Sequence, residues 1–67
     1  MIRQRMKELR GTRSQEDMAK LLKISQQNYS QIEQGIRGIK PKKFKVFELV
    51  FNEKIENLAP DLFEDKQ

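Results

Sequence analysis

The sequence predicts an all-α protein, a compact bundle of five short helices that contains a helix-turn-helix. Apolar residues recur at helical spacing, residues that favour helix ends flank these stretches, and no segment alternates as a strand does. The chain has 67 residues, enough for one small core. We therefore expect a single domain over residues 1–63 and a flexible tail over residues 64–67.

The five predicted helices cover residues 2–9, 15–22, 26–34, 42–51 and 55–59. Ser14 and Ser25 precede the second and third helices, where a serine hydroxyl accepts a hydrogen bond from a free backbone N–H group. Gly35 follows the third helix and suits a left-handed turn. Because about three residues separate the second and third helices, and Ala19 is small enough for them to cross closely, the pair predicts a helix-turn-helix.

In the first predicted helix, Ile2, Met6 and Leu9 share the apolar face, and the charged residues, Arg3 among them, fall outside it. This spacing predicts that the helix buries its apolar face against the rest of the bundle.

The third helix has an apolar side and a side of uncharged polar residues. At about 100° per residue, Tyr29 and Ile32 lie on the side that packs on the body, with Glu33 at its edge. The opposite side carries Gln26, Gln27, Ser30, Gln31 and Gln34. A glutamine amide can pair with N6 and N7 of adenine in the major groove of DNA. The alternative is that these glutamines are neutral surface residues.

Charge is distributed unevenly along the chain. Residues 1–45 contain twelve Lys and Arg against four Asp and Glu, a net of +8, whereas residues 46–67 have a net of −4. The basic residues near the third helix are Arg10 and Arg13 before it and Arg37, Lys40, Lys42, Lys43 and Lys45 after it. They would neutralise phosphates beside a groove-binding helix. The alternative is a solvated surface that keeps the domain dispersed.

The absent residue types exclude several kinds of site. The chain has no Cys and no His, which excludes disulfides, Cys/His zinc sites and Ser-His or Cys-His catalysis. It has no glycine-rich phosphate loop and no paired carboxylates that would indicate an enzyme. No apolar run resembles a signal peptide or could span a membrane. We therefore expect no catalysis, no metal, no cofactor and no membrane partner.

Three motifs follow one another between residues 14 and 35. They read Ser-Gln-Glu-Asp-Met-Ala from Ser14, Ile-Ser from Ile24, and Tyr-Ser-Gln-Ile-Glu-Gln-Gly from Tyr29. In this combination they resemble the Cro/phage-repressor, or lambda-repressor-like, family of helix-turn-helix regulators. The chain departs from that family at Lys23, where glycine is preferred. The joint between the first two helices is about two residues shorter than usual.

The resemblance implies roles for individual residues. Gln26, Gln27 and Gln31 would contact bases, and Gln15 would face a phosphate and brace the third helix. Other expected phosphate contacts are Asn28, Ser30, Arg10, Arg13, Arg37, Lys40, Lys42 and Lys43. The residues expected to hold the motif together are Ser14, Ala19, Ser25, Tyr29, Ile32, Glu33 and Gly35. Glu33 would pair with an arginine from the end of the first helix, for which Arg10 is the candidate.

The resemblance also implies a transcriptional regulator of duplex DNA. We expect a repressor of phage, mobile-element or bacterial origin, located in a bacterial cytoplasm or an infected host. A homodimer would occupy a palindromic, A/T-containing operator and block polymerase. The predicted dimer contact consists of Ile55, Leu58, Leu62 and Phe63. The alternative is that these residues only close the core.

Two other functions deserve comparison. An antitoxin or a restriction-modification controller would bind a partner protein as well as DNA, and the apolar C-terminal residues would then contact that partner. An RNA-binding module would need more aromatic stacking surface than this chain has.

Overall fold

The computed structural model describes residues 2–63, which form five α-helices and two short 3-10 helices with no strand among them. The α-helices are α1 (Gln4–Arg10), α2 (Gln15–Leu22), α3 (Gln26–Glu33), α4 (Phe44–Phe51) and α5 (Ile55–Leu58). The 3-10 helices cover Pro41–Lys43 and Pro60–Phe63. The predicted all-α class and the five helices are confirmed. The tail predicted over residues 64–67 lies outside the described residues.

Serine side chains cap α2 and α3, the two helices of the helix-turn-helix. Ser14 Oγ accepts a hydrogen bond from the backbone N–H of Asp17, and Ser25 Oγ accepts one from Asn28, each at 3.0 Å. Each cap satisfies one of the N–H groups that the first turn of a helix leaves free. The starts of both helices are therefore fixed by the residues that the sequence indicates.

The turn between α2 and α3 is left-handed at Lys23, which has φ 60° and ψ 45°. The Ile24 N–H donates to the Ala19 carbonyl at 3.0 Å and the Lys23 N–H donates to Lys20 at 3.2 Å, which together form a Schellman motif. A residue with a Cβ costs about 1 kcal/mol in this conformation. The chain thus keeps the geometry of a glycine turn at a small cost in stability.

The core lies between the five helices, and all of them contribute to it. Ala19 is 3% exposed on α2, which packs extensively against α3. Its small side chain allows the close approach that the sequence predicts. The largest fully buried side chains are Tyr29, Phe47, Met6, Met18, Leu22 and Leu58.

The structure departs from the burial predicted for the first helix at three residues: Leu9 is 37% exposed, and the burial of Ile2 and Arg3 is reversed. The first helix begins at Gln4, so Ile2 precedes it and is 50% exposed. Arg3 is buried instead, and its Nε and Nη2 donate to the Asp61 carboxylate at 3.0 and 2.8 Å. Its Nη1 donates to the carbonyl oxygens of Ile32 and Arg37. Arg3 is tolerated in the interior because all these donors meet acceptors.

The C-terminal apolar residues mostly close the core. Ile55 and Leu58 are 5% and 0% exposed, and Leu62 packs against the core cluster. The predicted dimer contact is therefore wrong for Ile55 and Leu58, because α5 has four residues and turns its apolar side inward. Phe63 is 49% exposed, although its ring centroid lies 6.0 Å from that of Phe44.

The left-handed turn predicts opposite effects of glycine at two lysines. Lys23→Gly should raise the free energy of unfolding by about 0.5–1 kcal/mol, because it removes the Cβ from a left-handed residue. Lys20→Gly, one turn earlier on the exposed side of α2, should lower it by about 1 kcal/mol. Urea denaturation of both variants measures these changes. Destabilisation by Lys23→Gly as large as that by Lys20→Gly would contradict the assigned turn.

Candidate nucleic-acid interface

The two sides of α3 face in the directions that its helical periodicity predicts. Tyr29 is fully buried, and Ile32 and Glu33 are each 4% exposed. The polar side, which we call the amide face, faces outward: Gln26, Gln27 and Gln34 are exposed, and Ser30 and Gln31 are half-buried. The amide face therefore presents uncharged hydrogen-bonding groups to solvent on a helix that the core holds in place.

The carboxylate of Glu33 is the centre of a buried hydrogen-bond cluster behind the amide face. Arg10 Nε donates to Oε2 at 2.8 Å and its Nη2 donates to Oε1 at 3.3 Å. Gln15 Nε2 donates to Oε1 at 3.0 Å, and the Tyr29 hydroxyl donates to Oε2 at 2.8 Å. One carboxylate thus connects the end of α1, the start of α2 and the interior of α3.

The protonation state of this cluster follows from its contacts. Burial alone would raise the pKa of the Glu33 carboxyl, but hydrogen bonds from Arg10, Tyr29 and Gln15 and the charge of Arg10 lower it below its ordinary value. Burial, followed by the Glu33 carboxylate, raises the pKa of the Tyr29 phenol. Glu33 is therefore a charged acceptor at neutral pH, and Tyr29 remains a donor.

Two predicted phosphate contacts belong to this cluster. All three guanidinium nitrogens of Arg10 are used within the protein, since Nη1 donates to the Arg13 carbonyl at 2.7 Å. Arg10 therefore makes the predicted pairing with Glu33. Gln15 stands at the first position of α2, with its Nε2 hydrogen-bonded to Glu33. Gln15 thus contacts the C-terminal end of α3 and leaves its own Oε1 without a partner in the described residues.

The chain reverses direction after α3 and brings a basic segment (residues 37–45) beside it. Gly35 has φ 79°, and the N–H groups of Gly35 and Ile36 donate to the carbonyls of Ile32 and Gln31 at 3.1 and 2.9 Å. This Schellman motif ends α3. The residues that line a concavity of about 260 Å³ between the two segments include Asn28, Ile32, Arg37, Lys40, Lys42 and Lys43. The basic segment therefore lies beside α3 next to Asn28 and Ile32, and its first residue, Arg37, reaches the amide face at Gln31.

The residues predicted to contact phosphates differ in how much of each side chain is free to contact a ligand. Arg13, Lys40 and Lys42 are exposed. Lys43 is half-buried, and its Nζ donates to the Leu22 carbonyl at 3.3 Å, where it covers the C-terminal end of α2. Asn28 is half-buried, and its Oδ1 is shielded from solvent without a hydrogen-bond partner in the described part of the chain.

The sequence interpretation missed two contacts at this interface. Arg3 Nη1 donates hydrogen bonds to the carbonyl oxygen of Ile32, near the end of α3, and to that of Arg37, in the basic segment. Arg37 Nε donates to Gln31 Oε1 at 3.0 Å. No local pattern indicates the first contact, because the partners are about thirty residues apart. The second depends on the turn at Gly35, whose geometry returns Arg37 to α3.

The described residues contain neither a candidate metal site nor a membrane-spanning helix. Within residues 2–63, no group of three or more Asp, Glu, His or Cys side chains is arranged to hold a metal ion. Among the helices of that range, none combines the length and apolar character needed to cross a bilayer.

Comparison with known proteins gives one match. A family model described as helix-turn-helix matches residues 2–58, which is most of the chain. Searches of curated proteins and of solved structures returned no significant match.

The Glu33 cluster predicts a pH-dependent stability difference. Glu33→Gln should lower the free energy of unfolding by about 3 kcal/mol at pH 7, because it leaves the Arg10 charge largely buried without its counter-ion. The pKa of Glu33 is lower in the folded state than in the unfolded state. The Glu33 carboxylate therefore stabilises the fold at pH values above its unfolded-state pKa, and this stabilisation is lost as the pH falls through its folded-state pKa.

The stability difference between Glu33→Gln and the wild type should therefore shrink as the pH falls below about 4.3, the ordinary pKa of a glutamate side chain. Urea denaturation from about pH 3 to about pH 7 measures this stability difference. Glu56→Gln, an exposed position on α5, is the control and should change stability by less than about 0.5 kcal/mol. An equal deficit at pH 3 and pH 7 would contradict the assigned cluster.

Proposed function

Because the chain belongs to the Cro/C1-type, lambda-repressor-like helix-turn-helix family of DNA-binding transcriptional regulators, we propose that it represses transcription by occupying an operator. The observation that carries this proposal is the outward amide face of α3 with the basic segment beside it. A bound protein at a promoter excludes polymerase from the same DNA, so occlusion needs no catalytic group.

We propose that α3 enters the major groove and that Gln26, Gln27 and Gln31 contact bases. A helix with its side chains is about 10–12 Å across, which fits a groove about 12 Å wide. Amide side chains have both donors and acceptors, which base edges match, and they carry no charge that phosphates would repel. The burial of Tyr29 and Ile32 supports this proposal, because it fixes the amide face relative to the body.

Phosphate contacts on both sides of the groove would hold α3 in register. On one side we propose Arg13 and the free backbone N–H of Gln15 at the start of α2, because the Gln15 side chain already donates to Glu33. On the other side we propose the basic segment, mainly through Lys40 and Lys42, which are both exposed. The remaining proposed phosphate contacts are Arg37, Lys43, Asn28 and Ser30. Such contacts position a protein on DNA without reading its sequence.

We further propose that a homodimer binds two symmetric half-sites about one helical turn apart. An eight-residue α3 reaches few base pairs, and a dimer doubles the number that is read. Of the four residues predicted for the dimer contact, Phe63 keeps a large exposed apolar surface, and the proposal therefore retains Phe63. Phe63→Asp should weaken the dimer on DNA while leaving the helical content unchanged.

Selection of binding sites from random duplex DNA tests the proposed function. We expect enrichment of two symmetric half-sites that contain A·T pairs, and native mass spectrometry of the complex should give two chains per duplex. A preference for RNA, or no enriched sequence, would contradict the proposal. A tightly bound partner protein in place of a homodimer would instead favour an antitoxin or a restriction-modification controller.

Two substitutions separate base contacts from phosphate contacts. Gln27→Ala should weaken binding to the selected operator by about 1–3 kcal/mol and relax the base preference at one position per half-site. Lys42→Ala should weaken binding to all sequences alike and reduce the slope of log K against log salt by about 0.9 per lost phosphate contact. Fluorescence titrations at several salt concentrations distinguish the two. Equal effects of both variants on operator and random DNA would contradict the assigned roles.

A further inference from the structure

Gln31 and Arg37 form a hydrogen-bonded pair at the edge of the amide face. Arg37 Nε donates to Gln31 Oε1 at 3.0 Å. A guanidinium has only donors, so the amide atom that faces it must be the oxygen. Within residues 2–63, neither Gln31 Nε2 nor the two Nη groups of Arg37 make another hydrogen bond. The pair therefore offers a ligand the N–H groups of Gln31 Nε2 and of the Arg37 Nη nitrogens, while the amide oxygen has one lone pair engaged and lies beside a positive charge.

The backbone of Arg37 is held by hydrogen bonds at both its N–H group and its carbonyl oxygen. Its N–H donates to the Gln31 carbonyl at 3.2 Å, immediately after the Gly35 turn. Its own carbonyl accepts a hydrogen bond from Nη1 of Arg3 at 2.7 Å, and Arg3 is only 5% exposed. Because the backbone is fixed, forming the side-chain contact costs less conformational entropy than it would between two free surface residues.

The pair borders a shallow concavity on the same face as the other amides. Its lining residues are Ser25, Gln27, Asn28, Gln31 and Arg37, and its volume is about 230 Å³. None of these residues is acidic, so the charge of Arg37 is not neutralised there. A group that enters the concavity meets donors from Gln31 and Arg37 together with a positive charge.

The bases differ in what they present to such donors in the major groove. Guanine O6 and thymine O4 are carbonyl acceptors, whereas adenine N6 and cytosine N4 are amino donors. A glutamine that reads adenine must accept a hydrogen bond from N6 through Oε1. In this structure the cationic Arg37 faces Oε1, and its positive charge opposes the approach of an amino group.

We infer that Arg37 orients Gln31 so that this position of α3 reads the carbonyl oxygen of guanine or thymine and rejects amino bases. The inference rests on the proposed operator binding and adds the role of one residue to it. Arg37 acts here as a positioning residue, because it sets which end of the Gln31 amide meets the base.

The test measures coupling between Gln31 and single atoms of the selected operator. Guanines and thymines are replaced one at a time by analogues that lack O6 or O4, and adenines by an analogue that lacks the N6 amino group. Affinities are measured for the wild type and for Gln31→Ala. We expect one carbonyl oxygen per half-site whose removal weakens the wild type about tenfold and has little effect on Gln31→Ala.

Arg37→Met then tests whether that coupling depends on the pair, since methionine keeps much of the side-chain length without a donor or charge. The coupling between Gln31 and the carbonyl oxygen should fall to about twofold or less. Lys40→Met is the matched control, because it removes one charge from the basic segment without touching Gln31. It should lower affinity for all sequences and leave the coupling intact, and thermal melting followed by circular dichroism checks that each variant folds.

The outcomes separate this inference from the proposed function. Coupling of Gln31 to an adenine N6, no coupling to any base atom, or coupling that persists in Arg37→Met overturns the inference while operator binding stands. Failure of the wild type to select any DNA sequence overturns both.

Discussion

The buried carboxylate of Glu33 joins three helices at one point, and the orientation of α3 depends on it. Arg10 reaches the carboxylate from α1, Gln15 reaches it from α2, and Tyr29 reaches it from within α3. A buried charge is costly unless an opposite charge and hydrogen bonds compensate it. Here four hydrogen bonds converge on two oxygens, so a shift of any one helix would leave part of the carboxylate unpaired. The cluster therefore restricts how α3 can sit on the body.

A second junction, at Arg3, also holds the C-terminal end of α3, together with the chain that follows it. Its backbone N–H donates to the Glu33 carbonyl at 2.8 Å, while its side chain contacts Ile32, Arg37 and Asp61. The Arg3 guanidinium also lowers the pKa of the Asp61 carboxyl, chiefly through its hydrogen bonds, so this ion pair persists at neutral pH. One residue near the start of the chain thus connects α3, the basic segment and the C-terminal 3-10 helix.

Features set by neighbours in sequence were predictable, and features set by distant partners were not. The caps at Ser14 and Ser25 and the outward direction of the amide face follow from residue type and the helical period, which act within a turn or two. Arg3 was placed outside the apolar face, because nothing in its neighbourhood reveals acceptors about thirty to sixty residues away. Ile55 was assigned to a dimer contact because an apolar pattern shows that a residue is buried but not against what. The Gln31–Arg37 contact likewise required the three-dimensional course of the chain after Gly35.

The Glu33 cluster also affects how the protein responds to heat. The hydration of charged groups becomes less favourable as temperature rises, whereas stabilisation from apolar burial levels off. The desolvation cost of holding Arg10 and Glu33 out of water therefore declines on warming, while their mutual attraction remains. Near the upper end of the folded range, ionic contacts should supply a growing share of the cohesion between α1, α2 and α3. The contacts that hold α3 against α1 and α2 would then be among the last in this small bundle to break on heating.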